Sequence, residues 1–337
     1  MSDNNALVDI VIPVWNRPVE TRAALASYVA SSPFARLVMV NSGSERETER
    51  ILDEFAEALD DRAILLATER NVGRIAAINL GISRADSRFI LLADCSVNLV
   101  SGWFDPLLNY LQDNPQVGAV TLGSSAETIM EADHGSFDAM LVRKELFSAV
   151  GSFDEAYDTF VWGLRDFARR ALQAGFLTAA APDRGVKRIA IPELGSESRR
   201  NERFQLAAAR YTGKWGEATS LLLQCNDEIP GGDIDSFREL LLAFARRGDK
   251  LTVSAGGRGG KLLKSAGFAS LHENINFSVL PMLFKGDALR KLAAALVSQD
   301  NKVYLVTDDN RFQLSMETVD FDTFAKRSDI RPSKELC

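Results

Sequence analysis

Short apolar runs alternate with helical patterns over the first hundred residues, and this alternation constrains the fold more than any other feature of the chain. Four runs rich in apolar and β-branched residues are predicted to be strands: 8–14, 37–40, 63–67 and 89–93. Segments with a 3.6-residue spacing of apolar positions, predicted to be helices, separate them: 19–30, 45–59 and 75–83. Strands and helices that alternate at this spacing form βαβ units. The sequence therefore predicts an α/β fold with a mainly parallel sheet and helices on both faces.

The fourth of these runs ends in a carboxylate. Phe89–Ala93 is apolar throughout, which is typical of a strand buried on both faces, and Asp94 follows it directly. Open α/β sheets bind ligands at the carboxyl ends of their strands, so Asp94 is a candidate site residue; simple capping of the strand end is the alternative. Asp105 and Pro106 predict the start of the next helix, with Asp105 as its N-cap. Pro13 cannot donate to a ladder, so the first strand is expected to end there.

The length of the chain predicts two domains. It has 337 residues, of which 46% are hydrophobic, and this is enough for about two hydrophobic cores. The segment 226–233 contains Pro230, Gly231 and Gly232 and is the best linker candidate. We therefore predict a first domain over residues 1–225 and a smaller C-terminal α/β domain, of unknown role, over residues 226–337.

Composition excludes several classes of protein. The net charge of -7 argues against non-specific nucleic-acid binding. Three scattered cysteines are too few for a disulfide framework or a zinc site, and two histidines exclude a histidine-rich metal site. No apolar run reaches the roughly 20 residues of a membrane span, and the N-terminus has no basic-then-apolar signal. These features predict a cytoplasmic protein and leave peripheral association with a membrane open.

Seven short motifs follow one another in order between Val8 and Gly216. They are Val11–Arg17, Val40–Ser44, Asn71–Gly73 with Asn79–Gly81, Leu92–Ser96 followed by Gly102 and Trp103, Val150–Glu155, Trp162–Asp166, and Lys214–Gly216. In this order and at this spacing they resemble the inverting, nucleotide-sugar-dependent glycosyltransferases of family 2, which have the GT-A fold. The resemblance covers roughly the first two thirds of the chain.

The resemblance implies an enzyme that moves a sugar from a UDP- or GDP-sugar to a hydroxyl group with inversion. The implied acceptor is a glycan, a lipid-linked molecule or a protein, in the synthesis of a bacterial surface polysaccharide or glycoconjugate. The alternative is a degenerate GT-A module that binds a nucleotide-sugar or a glycan without turnover. Neither a nucleic-acid partner nor a transmembrane segment is expected.

The resemblance also implies roles for individual residues. The nucleotide-binding set is Pro13, Val14, Asn16, Arg17, Asn41, Asn71, Arg74 and Asp94. Asp166 is the implied catalytic base; it is expected in or near the first turn of a helix, and the alternative is a helix carboxylate without a catalytic role. Trp162, Trp103 and His134 are candidates for contact with the sugar or the acceptor, with core tryptophans and a plain loop histidine as the alternatives.

Three acidic positions of the family's usual site are neutral or positive in this chain. Asn41 replaces the base-binding aspartate, Ser96 replaces the second aspartate of the Asp-x-Asp motif, and Arg165 replaces the glutamate of a Glu-Asp pair. Mg²⁺ and Mn²⁺ prefer carboxylate oxygens, so we predict that Asp94 holds such an ion weakly or not at all and that the ion is dispensable. Ser96 and Arg165 are expected near the diphosphate, unless Arg165 is a solvated helix residue. Glu193 is the candidate for a missing metal ligand.

Overall fold

The computed structural model describes residues 7–124, 127–157, 160–190, 196–225, 233–280, 285–299, 303–307 and 316–327. The chain forms two compact units. Unit 1 comprises residues up to Ile129 together with His134–Tyr211, and unit 2 comprises Met130–Asp133 together with the residues from Thr212 onward. The predicted boundary between residues 225 and 226 lies inside unit 2, directly after its first long strand.

The strands and helices of the described residues follow in chain order. The strands are β1 (Val8–Val14), β2 (Ala35–Ser42), β3 (Ala63–Thr68), β4 (Phe89–Ala93), β5 (Val97–Leu99), β6 (Val117–Ser124), β7 (Met130–Glu131), β8 (Ala139–Arg143), β9 (Leu177–Pro182), β10 (Val186–Arg188), β11 (Ser220–Cys225), β12 (Lys250–Ala255), β13 (Ile275–Val279), β14 (Val303–Val306) and β15 (Glu317–Val319). The helices are α1 (Pro18–Ser31), α2 (Arg46–Leu59), α3 (Arg74–Ile82), α4 (Phe104–Asp113), α5 (Lys144–Val150), α6 (Phe160–Gln173), α7 (Glu197–Trp215), α8 (Ile234–Ala245), α9 (Gly257–Ser265), α10 (Lys285–Gln299) and α11 (Phe321–Arg327). Within the part of the chain described here, no helix combines the length and the apolar character that crossing a lipid bilayer requires.

One sheet organises unit 1, with its strands in the order β3-β2-β1-β4-β8-β6-β9. The pairs β3–β2, β2–β1, β1–β4 and β6–β9 are parallel, whereas β8 runs antiparallel to both of its neighbours. The residues of β4 are all buried, as their unbroken apolar run predicts. The predicted α/β fold with a mainly parallel sheet is confirmed.

Two local predictions at element ends are wrong. β1 continues through Pro13 to Val14, and Pro13 pairs with Val40 in the ladder with β2. β4 pairs with β1 only as far as Val11, so Pro13 lies where β1 has a partner on one side, and the missing N–H is tolerated there. α4 begins at Phe104, so Asp105 lies inside its first turn, where the helix dipole favours a carboxylate, and is not the N-cap.

A buried carboxylate joins the start of β1 to its neighbours. Asp9 has no exposed surface and lies opposite Arg36 in the register with β2. Arg36 donates from Nε and Nη2 to the two carboxylate oxygens at 2.9 and 3.0 Å, and the backbone N–H groups of Asp86 and Ser87 donate at 2.7 and 2.9 Å. Because Asp86 and Ser87 lead into β4, Asp9 fixes the alignment of the strands whose opposite ends carry the candidate site.

Unit 2 has a parallel sheet of its own, with the order β13-β12-β11-β14-β15. β11, the first strand of this sheet in chain order, is its central strand. The direction of winding reverses between β11 and β14, as in doubly wound folds. The short strand β7 also belongs to unit 2, although it precedes most of that unit in the chain. In β7, Glu131 forms a bridge with His272 and accepts two hydrogen bonds of 2.7 Å from Arg246. The predicted α/β character of the C-terminal region is confirmed.

Candidate functional site

The carboxyl ends of β1, β2 and β4 lie at one edge of the unit 1 sheet, because these strands are parallel neighbours. The segments that leave them are Trp15–Arg17, Gly43–Glu45 and Asp94–Ser96. Open α/β sheets bind ligands at this edge. The residues predicted to bind a nucleotide therefore come together in the fold: Pro13, Val14, Asn16, Arg17, Asn41, Asn71, Arg74 and Asp94.

Hydrogen bonds join the loop after β1 to the loop after β2. The backbone N–H of Asn16 donates to Ser44 Oγ at 2.9 Å, and the N–H of Glu45 donates to Asn16 Oδ1 at 2.8 Å. The N–H of Ser44 donates to Asn41 Oδ1 at 2.9 Å, while Asn41 Nδ2 lies 3.5 Å from Glu49 Oε1. The two asparagines thus hold the shape of both loops. Asn41 is itself buried at the end of β2.

The turn into α1 is strained. Asn16 and Arg17 both have a left-handed backbone, with φ of 57° and 60°. Side chains other than glycine pay a free-energy cost in this region, and such residues cluster at ligand sites. Thr21 holds the turn: its N–H donates to the Arg17 carbonyl at 2.9 Å and its hydroxyl to the Asn16 carbonyl at 3.3 Å.

Gly43 allows the loops after β2 and β3 to touch. It has a φ of +64°, and a Cβ atom there would lie 2.5 Å from the carbonyl carbon of Arg70, so a larger residue requires the backbone to move. The loop then closes on an Asx turn, in which Asn71 Oδ1 accepts from the N–H of Gly73 at 2.8 Å. This turn fixes Arg74 as the first residue of α3.

Both carboxylate oxygens of Asp94 have partners. Arg74 Nη2 lies 2.7 Å from Oδ2, and the N–H of Ser96 donates to Oδ1 at 2.8 Å. The hydroxyl of Tyr28 donates to the backbone carbonyls of Asp94 and Val97 at 2.7 and 2.8 Å, which fixes the turn after β4. Burial, and next the charge of Asp94, raise the pKa of Tyr28 well above its ordinary value, so this hydroxyl remains a donor.

Cys95, which follows Asp94, is not a reactive thiol. Burial is the main reason that its pKa is raised to about 12, and the Asp94 charge acts in the same direction. The charges of Arg74 and Arg17 oppose this shift without cancelling it. The thiolate is the form that attacks or binds metals, so Cys95 supplies neither a nucleophile nor a metal ligand at neutral pH.

Asp138 belongs to this edge although the sequence analysis did not select it. It immediately precedes β8, and because β8 is antiparallel to β4, the start of β8 lies beside the end of β4. The N–H of Asp94 donates to the Asp138 carbonyl at 3.3 Å. The sequence offered only part of the signal that selected Asp94, because Asp138 precedes its apolar run, Ala139–Val142, and does not follow it.

Arg188 is the second residue that the sequence analysis missed. It ends β10, which pairs with β5 directly after the Asp94 turn. Its Nη2 donates to the Leu122 carbonyl at 2.9 Å, its Nη1 lies 3.0 Å from Asp183 Oδ2, and its Nε lies 3.7 Å from Asp138 Oδ2. Arg74 Nη2 lies 3.9 Å from the other oxygen of Asp138. No local sequence pattern points to Arg188, because a three-residue strand leaves none.

Asp166 lies in the second turn of α6, which begins at Phe160, and thus close to the first turn where it was expected. Its side chain is 0% exposed, and Arg170 donates to it from Nε at 2.9 Å. Arg170 also donates to the carbonyls of Ser152, at 2.9 Å, and Val150. Asp166 therefore holds an arginine against the turn that follows α5.

Trp162 and Arg165 belong to the same sequence motif as Asp166, and they lie against α7. The Trp162 ring contacts the rings of Phe204 and Tyr211, with centroids 5.5 and 5.1 Å apart. The guanidinium of Arg165 lies over the Trp162 ring, 5.0 Å from its centroid, in a cation–π contact. Trp162 and Arg165 therefore form one side-chain cluster with the aromatic residues of α7.

The remaining predicted site residues are Trp103, His134 and Glu193, and each lies in a different part of the chain. Trp103 is buried and donates from Nε1 to Ser32 Oγ at 2.9 Å, so it belongs to the core and presents no open ring face. His134 Nδ1 lies 2.7 Å from the carbonyl oxygen of Gly135. Glu193 falls outside the described residues, and its proposed role as a metal ligand stays a prediction.

Comparison with known proteins shows that the part of the chain that forms this sheet edge is similar to a known family. Residues 9–148 match the family described as Glycosyl transferase family 2. The match includes the loops after β1, β2 and β3, Arg74, Asp94 and Asp138. We refer to residues 9–148, which are similar to this family, as the family 2 domain.

Curated relatives of the family 2 domain are glycosyltransferases. The chain is 30% identical over 117 residues to an N-acetylglucosaminyltransferase of Rhizobium leguminosarum bv. trifolii, covering 34% of this chain and 64% of the relative. It is 28% identical over 94 residues to the undecaprenyl-phosphate 4-deoxy-4-formamido-L-arabinose transferase of Proteus mirabilis, covering 27% and 29%. An uncharacterized glycosyltransferase, YaiP, of Escherichia coli is 27% identical over 93 residues, covering 28% and 23%. Each match spans less than two thirds of the relative's length.

Solved structures show the GT-A fold. The mannosyltransferase PcManGT from Pyrobaculum calidifontis, in complex with GDP-Man and Mn²⁺, matches 88% of this chain and 81% of its own, with a TM-score of 0.51 and 16% identity. GalNAc-T7 with UDP, GalNAc and Mn²⁺ matches 64% and 49%, with a TM-score of 0.53 and 15% identity. At these identities the likeness establishes the fold alone, and it confirms the GT-A class.

The carboxylates of Asp94 and Asp138 at this sheet edge lie close to guanidinium groups. Asp94 is ion-paired with Arg74 and accepts a hydrogen bond from the backbone N–H of Ser96, whose side chain offers a hydroxyl. Asp138 lies between the guanidinium groups of Arg74 and Arg188. Fixed positive charge therefore lies at short range from both carboxylates of this edge.

Proposed function

We propose that this chain is a glycosyltransferase that moves a sugar from a nucleotide-diphosphate donor to a hydroxyl acceptor, with inversion at the anomeric carbon. Its family 2 domain supports the transferase class. The GDP-Man and UDP present in the two solved relatives support the donor class. The observation that carries the proposal is the hydrogen-bonded pair of loops after β1 and β2, which lies at the same sheet edge as Asp94 and Arg74.

The nucleotide would occupy the edge formed by these loops. In this proposal Pro13, Val14, Asn16 and Asn41 line the pocket for the base and ribose, and Asp94 faces the ribose or the diphosphate. An asparagine side chain both donates and accepts, whereas the aspartate that Asn41 replaces only accepts. We therefore expect Asn41 to tolerate uracil and the base selectivity to be broader than in the family at large.

The proposed reaction has simple requirements. The acceptor oxygen forms a bond to the anomeric carbon while the bond from that carbon to the phosphate oxygen breaks, and the electron pair of that bond leaves with the diphosphate. Positive charge must stabilise the departing diphosphate. The acceptor's proton passes to a carboxylate within hydrogen-bond reach, and the opposed directions of attack and departure invert the anomeric carbon.

Two carboxylates are candidates for the base, and their environments differ. Asp166 is the residue that the family resemblance implies, but its side chain is fully buried against Arg170. Asp138 is partly exposed at the same edge as Asp94, beside Arg74. A base has to reach the acceptor, so we favour Asp138, and the role of Asp166 stays a prediction.

We expect nucleoside diphosphates to bind this protein. Isothermal titration with UDP, GDP and CDP should show binding of more than one of them, because the Asn41 amide serves several bases. A thermal-shift screen of the corresponding nucleotide-sugars should then raise the unfolding midpoint, since a ligand that binds only the folded state stabilises it. No binding of any of the three at millimolar concentration would remove the donor hypothesis. Binding without release of nucleoside diphosphate in the presence of acceptors would favour a module without turnover.

The acceptor in this proposal is lipid-linked, and transfer takes place at a membrane surface in bacterial surface glycan synthesis. The Proteus mirabilis relative is named for undecaprenyl phosphate, a lipid. On α7 of this chain, Arg199, Arg203, Leu206 and Arg210 follow a spacing that places them on one helix face. Leu206 is 67% exposed, and cations beside an exposed leucine suit an anionic lipid surface. We place the protein in the cytoplasm, where its nucleotide-sugars would be available.

Reversing two charges on this face is expected to weaken lipid binding. In co-sedimentation with vesicles that contain an anionic lipid, Arg199→Glu with Arg203→Glu should lower the bound fraction several-fold, and raised salt should do the same to the wild type. Arg46→Glu with Arg50→Glu, on the exposed face of α2, is the matched control with the same change in net charge. An equal loss in both double variants would assign the effect to net charge and not to α7.

A further inference from the structure

We infer that Arg74 and Arg188 form an arginine clamp that binds the donor's diphosphate in place of a divalent cation, an inference that rests on the proposed function. The two guanidinium groups lie on either side of one carboxylate, Asp138. They come from distant parts of the chain: Arg74 opens α3, and Arg188 ends β10.

The first arm of the clamp is fixed by its helix and by Asp94. The Asx turn of Asn71 sets the start of α3 at Arg74, and Arg74 Nη2 lies 2.7 Å from Asp94 Oδ2. The N-terminus of α3 carries backbone N–H groups and the positive end of the helix dipole. A guanidinium at this end adds a full charge to a place that already favours phosphate.

The second arm is fixed by the antiparallel pairing of β10 with β5. Arg188 lies opposite Val97 in the antiparallel register, so it follows the turn that contains Asp94 and Ser96. Its Nη2 bond to the Leu122 carbonyl and its Nη1 pair with Asp183 hold the guanidinium plane. The Nε edge is the part directed toward Asp138, at 3.7 Å.

Asp138 occupies the position that the diphosphate would take. Its two oxygens lie 3.9 Å from Arg74 Nη2 and 3.7 Å from Arg188 Nε, and both distances exceed those of a hydrogen bond. Charge therefore holds this carboxylate without the directional bonds that make such pairs strong. A diphosphate brings more negative charge and more acceptor oxygens, which guanidinium groups bind in pairs. Donor binding would displace Asp138 from both arginines and leave its carboxylate able to accept a proton.

The charge arrangement separates this site from a metal-centred one. Both solved relatives contain Mn²⁺, and the family resemblance implies that such an ion is held by two carboxylates. Here Ser96 supplies no carboxylate, and fixed guanidinium groups face the carboxylates Asp94 and Asp138. Arginine keeps its charge at any working pH, so the clamp needs no free metal ion to hold a diphosphate.

The experiment compares UDP with UMP by isothermal titration of the full chain, once in EDTA and once with Mn²⁺. In EDTA we expect UDP to bind about 10-fold or more tightly than UMP, because only UDP places a second phosphate in the clamp. Arg74→Gln and Arg188→Gln should each bring the two affinities close to equality. Arg184→Gln, an exposed arginine on the turn before β10, is the matched control and should leave the ratio unchanged.

Asp138→Asn is expected to raise the affinity for UDP, and misfolding of the variant could not produce such an increase. Because the asparagine no longer competes for the guanidinium groups, UDP should bind several-fold more tightly than it binds the wild type, while UMP changes little. Weaker or unchanged UDP binding in this variant would overturn the competition. A UDP preference that survives in both clamp variants, or that appears only with Mn²⁺, would overturn the clamp and leave the proposed function standing. Absence of all nucleotide binding would overturn both.

Discussion

Replacement of Asp9 by alanine is expected to lower the free energy of unfolding of unit 1 by about 3–5 kcal/mol, because it leaves a largely buried guanidinium without its main partner. The two bonds from Arg36 and the two from the backbone of Asp86 and Ser87 are all lost together. Arg36 keeps its pair with the exposed side chain of Asp86, which places the expected loss toward the lower end of the range.

Tryptophan fluorescence in a denaturant titration can report this loss for unit 1 alone. Trp15, Trp103 and Trp162 lie in unit 1 and Trp215 lies in unit 2, so a Trp215→Phe background removes the other signal. The control is Glu54→Ala, which breaks an exposed pair with Arg22 and should leave the midpoint unchanged within error. A midpoint for Asp9→Ala equal to that of the control would show that the Asp9 network contributes no net stability.

The parallel strands β1 to β4 of the unit 1 sheet could be predicted because the sequence pattern that indicates each of them is local. β1 to β4 are apolar runs separated by helices, and the prediction of Phe89–Ala93 matches β4. β9 was missed because Leu177–Pro182 is rich in alanine, which has a low strand propensity, and ends in proline. β5 and β10 were missed because three residues show no period.

The candidate site was predictable only where it lies on the loops of these parallel strands. Asn16, Asn41 and Asp94 follow predicted strands, so their convergence follows from topology. Asp138 required knowledge that β8 runs antiparallel to β4, and strand direction is not encoded in apolar periodicity. Arg188 required the pairing of β10 with β5, which joins residues far apart in sequence. Of the residues in the proposed arginine clamp, Arg74 was therefore predicted from the sequence, whereas Asp138 and Arg188 were not.

The position of Asp166 shows a different limit of the sequence. Its spacing from Trp162 suggested the start of a helix, yet α6 begins at Phe160 and carries Asp166 inward on its second turn. Helix bounds alone do not decide which face of a helix packs inward, and the buried residues of α6 include Asp166 together with Leu164 and Phe167. A carboxylate implied for catalysis is thereby found in the interior, bonded to Arg170.

A second large loss of stability is expected in unit 1 when the Asp166–Arg170 pair is broken. We expect Asp166→Ala to lower the free energy of unfolding by about 3 kcal/mol, because Arg170 then remains mostly buried without its carboxylate. Arg170→Ala should cost a similar amount. The double variant should cost clearly less than the sum of the two, because both changes remove the same interaction. Additive losses would show that the two side chains do not depend on each other.

Turnover separates this structural role from the catalytic role that the family resemblance implies. If Asp166 is the base, Asp166→Asn should fold normally and lose about 10²–10⁴-fold in turnover, while Arg170→Ala, assayed well below its unfolding transition, should retain most of its activity. We expect the reverse pattern. Asp166→Asn and Arg170→Ala should lose activity in parallel with their stability, and Asp138→Asn should lose about 10²-fold or more with its fold and UDP binding intact. A stable, UDP-binding Asp166→Asn variant without turnover, beside an active Arg170→Ala variant, would return the role of base to Asp166.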